Sequence, residues 1–172
     1  MDKRRKTDID KAADLVRDAG GRIVGRTRLQ KIAFLLELTG LGDGFDFEYR
    51  HYGPYSEQLA NAISTATLFG KISEEERQAQ WGGSYSVFST DLPRRSDIPS
   101  ARMQLIDQAA QADPIALELA ATAAFLAAEG EKSPWDETAR RKPDKATHLA
   151  HAKTIYSRLT RIDTPKPLPC LS

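Results

Sequence analysis

The sequence predicts a mainly α fold, in which a winged helix-turn-helix-like N-terminal half with a small β-hairpin packs on a C-terminal helical bundle. Three observations predict it. Residues 7–88 run in the order helix, short strand, helix, helix and paired strands, which is the order of a winged helix. The segment PIALELAATAAFLAAE is apolar around nearly its whole circumference and needs burial on most sides. Between them, TDLPRRSDIPS has two prolines, mixed charge and no periodicity, as a linker does. The expected organisation is a winged-helix-like subdomain over 1–90, a linker over 91–100, a helical subdomain over 101–162 and a flexible proline-rich tail over 163–172.

Residues 7–19 place Ile9, Ala12, Ala13, Val16 and Ala19 at helical spacing. Thr7 with Asp10 forms a capping box and Gly20-Gly21 closes the helix. Arg22-Ile23-Val24 is extended. Thr27 with Gln30 reads as a second capping box, heading a helix whose apolar face holds Leu29, Ile32, Ala33 and Leu36 and which ends near Gly40. Phe45 to Tyr49 alternates aromatic with acidic residues, the period of a half-buried strand. Gly53-Pro54 is expected to turn the chain, and Ser56 to cap a third helix burying Leu59, Ile63 and Ala66. A short strand over 71–73, a charged tip containing Glu74, Glu75 and Glu76, and a returning strand over 84–88 complete the wing. The extra strand over 45–49 lengthens the connection beyond the roughly 3–4 residues of DNA-reading versions.

In the second half, a short helix covers 102–111, and Asp113-Pro114 supplies an N-cap and an N1 proline for the alanine-rich helix. Ser133-Pro134 repeats that start signal for a short helix to about Arg141. Asp144 is expected to cap a last helix through Ile162, with Leu149, Ala152, Tyr156 and Leu159 facing inward. The tail DTPKPLPCLS is expected to fray or extend.

A net charge of +1, from 25 basic and 24 acidic residues, is far from that of a dedicated nucleic-acid binder, so any such site is a local patch. The single cysteine, Cys170, excludes an intrachain disulfide. No run approaches the roughly 18 apolar residues of a membrane span, and MDKRRKTDID lacks a signal-peptide core. The expectation is a cytoplasmic protein with no membrane partner.

Four basic residues, Arg22, Arg26, Arg28 and Lys31, lie around a helix N-terminus with no acidic residue between them. Amides and dipole there already favour anions, so the group is a candidate grip for a phosphate backbone or an acidic partner. As ordinary surface charges they would do neither. The third helix carries no Lys or Arg, leaves only Gln58 and Asn61 as base readers, and is followed by an acidic wing. This counts against conventional operator binding. Tyr49, His51, Tyr52 and Tyr55 surround Gly53-Pro54 and read as aromatic packing around a turn, with a small-molecule pocket lined by Tyr49, Tyr52 and Trp81 as a weaker possibility. His148 and His151 have metal-ligand spacing without further ligands nearby in sequence, so neither metal nor cofactor is expected. Phosphate-loop, dinucleotide-binding, nucleophile-elbow and zinc-protease motifs are all missing, and no enzyme is expected.

The strings GRTRLQKIAFLLE and FDFEYRHYGPYSEQL, joined by LELAATAAFLAAEG, Trp135 and RRKPDKAT, resemble the YwgA-like family of bacterial proteins and, more distantly, the Panacea (SocA-like) antitoxin domain. The resemblance covers most of residues 8–162 and implies that Leu29, Gln30 and Lys31, with Tyr52, Gly53, Pro54, Tyr55 and Ser56, are fold-motif positions. Panacea domains neutralise a partner toxin, and some act as adaptors to proteolysis. The implied function is therefore a non-enzymatic protein-interaction module of antitoxin or defence-accessory type, with a toxin, nuclease or other defence effector as its partner. The basic group and the alanine-rich helix are its candidate contact faces. The alternative is a nucleic-acid-binding regulator that uses the basic group, and a homodimer is open in either case.

Overall fold

The computed structural model describes residues 5–171, so the leading MDKRRKTDID stretch is described only from Arg5 and the tail only as far as Leu171. The fold is mainly α, with seven α-helices, one 3-10 helix and five short strands among the described residues.

Helix α1 (Asp8–Asp18) starts where Thr7 and Asp10 complete their capping box. Strand β1 (Arg22–Val24) follows two glycines at positive φ. Helix α2 (Arg26–Leu38) departs from expectation at its head, because the N-cap is Gly25 and no side chain caps it. Thr27 and Gln30 form no capping box, since the Gln30 amide bonds a distant segment. Its Nε2 donates to the Ser56 carbonyl at 3.0 Å and its Oε1 accepts from the Ser56 amide at 2.8 Å. A buried backbone pair without another partner outcompetes an exposed helix end that water can serve.

The expected strand over 45–49 is mostly irregular. Only Glu48–Arg50 (β2) pairs, and its partner is Gly53–Tyr55 (β3). The inward alternation of Phe45, Phe47 and Tyr49 still holds, with Phe47 edge-on to Phe34. The turn therefore sits at His51-Tyr52, one step earlier than Gly53-Pro54. Pro54 lies in a two-stranded sheet, where a missing N–H is tolerated at an edge. Ser56 caps α3 (Glu57–Leu68) by accepting from the Leu59 amide, and Leu59, Ile63 and Ala66 are buried.

The β-hairpin is longer than its sequence suggests. Strand β4 (Ser73–Gln78) includes Glu74, Glu75 and Glu76, and β5 (Ser84–Ser89) pairs with it along its length. The glutamates belong to the strand body; the tip is Ala79 to Gly83, with Trp81 exposed. Strand β1 pairs on the other side of β5, giving the antiparallel order β1-β5-β4.

Residues 90–99 contain no helix or strand, yet they are tied down. Arg94 donates to the Asp18 carbonyl at 3.1 Å, and Arg95 donates to the Asp18 carboxylate. Helix α4 (Ser100–Gln111) brings Arg102 to the same carboxylate at 3.0 Å. Helix α5 (Pro114–Ala128), capped by Asp113, is the central element, packed by α2, β3, α6 (Pro134–Arg141) and α7 (Leu149–Leu159). Its middle, from Ala116 to Ala124, is buried throughout, so that stretch does not form the contact face expected of it. Pro143–His148 is a 3-10 helix, and Asp144 lies inside it without capping α7.

The tail expected to fray lies along the fold. The Lys166 amide donates to the Thr39 carbonyl at 2.9 Å, the Tyr156 hydroxyl donates to the Pro169 carbonyl at 2.5 Å, and Leu168 is buried. One apolar core runs through both halves, from Leu15 and Leu36 to Leu117, Trp135 and Leu159.

Candidate functional site

The resemblance-bearing strings are far apart in sequence and meet at one place. Lys31 of α2 is buried, at 1% exposure, and its Nζ donates to the Pro54 carbonyl of β3 at 2.8 Å. One residue earlier on the same helix, Gln30 makes its paired bonds to Ser56. From the other side, Glu118 of α5 accepts from Lys142 at 2.7 Å and from Lys145 at 2.8 Å. Lys142 also donates to the His51 carbonyl at 3.1 Å. The β2–β3 hairpin is thus held between lysines from both halves of the chain.

Gly53 makes this approach feasible. Its φ is +92°, and a Cβ there would overlap Thr122 Oγ1 of α5 and touch Lys31 Cε. Thr122 is turned away from a hydrogen bond to the hairpin because its hydroxyl donates to the Glu118 carbonyl at 2.8 Å.

The charge in this centre is uneven. Three ammonium groups face one carboxylate, and two of the three lysines are almost fully buried. Burial disfavours the charged form of Lys31 and lowers its pKa to about 7. Glu118 opposes that shift, while Lys142 and Lys145 add to it.

Beside Lys31 lies a cavity of about 360 Å³ between α2, α3 and the sheet. Leu29, Ile63 and Phe88 give its wall an apolar part, and Tyr52, Tyr55 and Asn61 contribute polar groups. A second concavity, lined by Trp81, Tyr85 and Pro114, shares Arg26 and Thr27 with the first. The expected pocket of Tyr49, Tyr52 and Trp81 does not form. Tyr52 and Trp81 line different concavities, and Tyr49 packs against Phe125 and Arg141.

The four basic residues do not form one patch. Arg22 is exposed on β1. Arg26 is exposed but donates to Glu74 at 2.5 Å and to Ser86 Oγ at 3.3 Å. Arg28 is half-buried and bonds the carbonyls of Val24 and Ala112, at 2.6 and 2.9 Å, fastening β1 to the end of α4. Burial lowers its pKa, with Asp113 opposing. Lys31 faces the interior. A helix head in sequence became three separate jobs because successive residues of an α-helix point about 100° apart.

Of the two expected base readers, Gln58 is engaged, donating to Asp8 at 3.0 Å and accepting from the Asp46 amide at 3.3 Å. Asn61 is exposed at the cavity. Among the described residues no three His, Cys, Asp or Glu side chains gather as metal ligands; His148 lies 3.6 Å from Asp113, away from the lysine centre. No described helix is long and apolar enough to cross a membrane. Sequence reading missed Glu118, Thr122, Lys142 and Lys145 as site residues. The available signal was charge inside the otherwise apolar helix and the resemblance-bearing KPDK string.

Compared with known families, curated proteins and solved structures, the chain matches none.

Proposed function

We propose that this protein is a non-enzymatic interaction module of the antitoxin or defence-accessory type, related to the YwgA-like and Panacea groups. On this reading its N-terminal half is a winged helix turned from DNA to a protein partner. The helix order α1, α2, α3 and the β1-β5-β4 sheet support the winged-helix part. One observation carries the functional part: large apolar side chains are exposed around the two adjoining concavities. Leu68 is 81% exposed, Trp81 78% and Tyr52 54%. Leu68 follows Asn61 and Ser64 on one helical stripe of α3, Tyr52 lines the first concavity and Trp81 the second. Exposed apolar groups concentrated beside concave surfaces mark protein-binding faces. The partner in this reading is a toxin, nuclease or other defence effector, met in the cytoplasm.

The engagement of Arg26, Arg28 and Lys31 favours this reading over a nucleic-acid regulator, because three of the four phosphate grips are already committed. The test is affinity purification of the tagged protein from its native host. A partner at one-to-one stoichiometry is expected, lost in a Leu68→Ser/Trp81→Ser variant with an unchanged circular dichroism spectrum. Recovery of the protein alone, or a partner retained by the variant, would overturn the proposal. Binding of duplex DNA at about 50 mM salt that collapses by about 200 mM would restore the regulator reading.

A further inference from the structure

The chain is nearly neutral as a whole, but its charge is unevenly spread. Residues 140–166 hold eight Lys or Arg against two Asp, where the full sequence nets +1. Arg140 and Arg141 are spent on Glu137, and Lys142 and Lys145 on Glu118. Farther along, Arg158 and Arg161 are exposed and form no ion pair among the described residues.

Both arginines line a groove of about 520 Å³ between α4 and the end of α7. The α4 wall is a stripe of glutamines, Gln104, Gln108 and Gln111, at the i, i+4, i+7 spacing of one helix face. All five side chains are exposed. Gln104 donates to Ser100 Oγ at 3.0 Å, but the amides of Gln108 and Gln111 have no protein partner among the described residues. Below them Ile155, Leu159 and Ile162 form a buried floor, so a ligand meets the polar walls. The one carboxylate of the lining, Asp113, caps α5 by accepting from the Ala116 amide at 2.9 Å and lies 3.6 Å from His148. The groove thus combines two uncompensated guanidiniums with a row of free amides.

Guanidiniums make two-pronged bonds to carboxylates and to phosphates alike. The glutamines decide between the two. Each amide has two N–H donors and a carbonyl acceptor, which matches a peptide backbone with its alternating N–H and C=O groups. A phosphate diester only accepts and would leave half of each amide unused. No aromatic ring lines the groove among the described residues, so an unpaired base would find nothing to stack on. From Gln104 to Gln111 the stripe runs about 10 Å along the helix. That is the length of about three extended residues.

We propose that the groove between α4 and α7 binds an extended acidic peptide segment of a protein partner, its carboxylates paired with Arg158 and Arg161 and its backbone bonded by Gln108 and Gln111. Leu68, Trp81 and Tyr52 do not line this groove. The proposal therefore does not rest on the docking face they mark, and it holds or fails on the isolated protein.

The experiment is fluorescence-anisotropy titration of the full chain against a labelled peptide alternating Glu and Ser, which puts its carboxylates on one side of an extended chain. The same peptide with Gln for Glu, and a labelled DNA duplex, are the controls. At about 50 mM salt the acidic peptide should bind about tenfold more tightly than the glutamine peptide, an advantage that shrinks by about 200 mM. Arg158→Ser/Arg161→Ser should abolish the difference. Gln108→Glu/Gln111→Glu, which keeps both arginines and makes the opposite wall acidic, should abolish it as well. Gln108→Ala/Gln111→Ala should weaken the acidic peptide by about threefold and leave its salt dependence in place.

Equal affinity for the two peptides, acidic-peptide binding unchanged in the arginine variant, or no binding at about 1 mM peptide would overturn the proposal. Duplex DNA that binds more tightly than the peptide and is lost in the same variant would also overturn it, by giving the groove to phosphates. Dimerisation in sedimentation that the arginine variant removes would do so by giving the groove to a second copy. All four substituted residues are exposed, so the variants should keep the wild-type circular dichroism spectrum. If one does not, the two peptides and their salt dependence on the wild-type chain decide the matter.

Discussion

Around Asp18, the carboxylates of Asp14, Asp18 and Asp43 meet the guanidiniums of Arg95 and Arg102; around Glu118, one carboxylate meets Lys142 and Lys145, with Lys31 close by. Both centres are buried and both join segments distant in sequence. The first ties the end of α1 to the linker and α4 with planar, permanently charged donors that match carboxylate geometry. The second ties the hairpin to α2 and α5 with flexible amines that can lose their protons when buried. Saturated with counter-charge, the Asp18 centre acts as a fastener. Cation-rich, the Glu118 centre buries more positive than negative charge.

The largest test of this contrast is Asp18→Asn. It leaves two guanidiniums without their shared carboxylate and should lower the unfolding free energy by about 3–5 kcal/mol, read by urea denaturation at pH 7. The loss should be level between pH 6 and 9, because guanidiniums cannot discharge there. Burial would raise the pKa of Asp18, but Arg95 and Arg102 outweigh it and the net shift is downward. Its stabilisation is therefore complete above the unfolded value of 3.8 and is lost as pH falls through the lower folded one.

Next in size is Gly53→Ala, which strikes the lysine centre through its backbone. Overlap with Thr122 should destabilise by about 1–3 kcal/mol and the positive φ by about 1–2 more. Adding Thr122→Ala should recover the overlap part and leave the conformational part, a split that thermal melts can resolve.

Lys31→Met gives an effect read as a slope with pH and not as a fixed loss. The folded pKa of Lys31 lies below its unfolded 10.5, so the unfolded chain binds more protons between about pH 7 and 10.5. The strain of burying its charge is fully present below 7 and relieved as pH rises toward 10.5. Wild type should thus gain on Lys31→Met by up to about 1.4 kcal/mol per pH unit in that window. A flat difference would mean that Lys31 carries no such burden and would erase the contrast with Asp18. The smallest effect belongs to Arg26→Ala, whose exposed pair with Glu74 should contribute about 0.5 kcal/mol or less.

Helix starts were legible where the signal is local. Thr7, Ser56 and Asp113 each cap within three residues, and each bond is present. The same rule failed at Thr27 and Gln30 because a partner 26 residues away took the glutamine side chain. The acidic run misled for a related reason: Glu74 reads as a tip residue in sequence, and Arg26 and Ser86 give it a place in the strand. The lysine centre was half visible. Residues 30, 31 and 53–56 stood out through resemblance, but nothing in local spacing says that Glu118 will meet Lys142 and Lys145. Tertiary approach decides that, and it depends on a glycine at position 53.

The His51 carbonyl accepts from Lys142 on one side of the hairpin and the Pro54 carbonyl from Lys31 on the other, while Tyr52 between them stands out into solvent under the ammonium of Lys145. A loop tip ordinarily samples many orientations, and a partner must freeze them on contact. Here two carbonyls of the turn are already held by lysines, so a protein that grips Tyr52 has less backbone freedom to freeze.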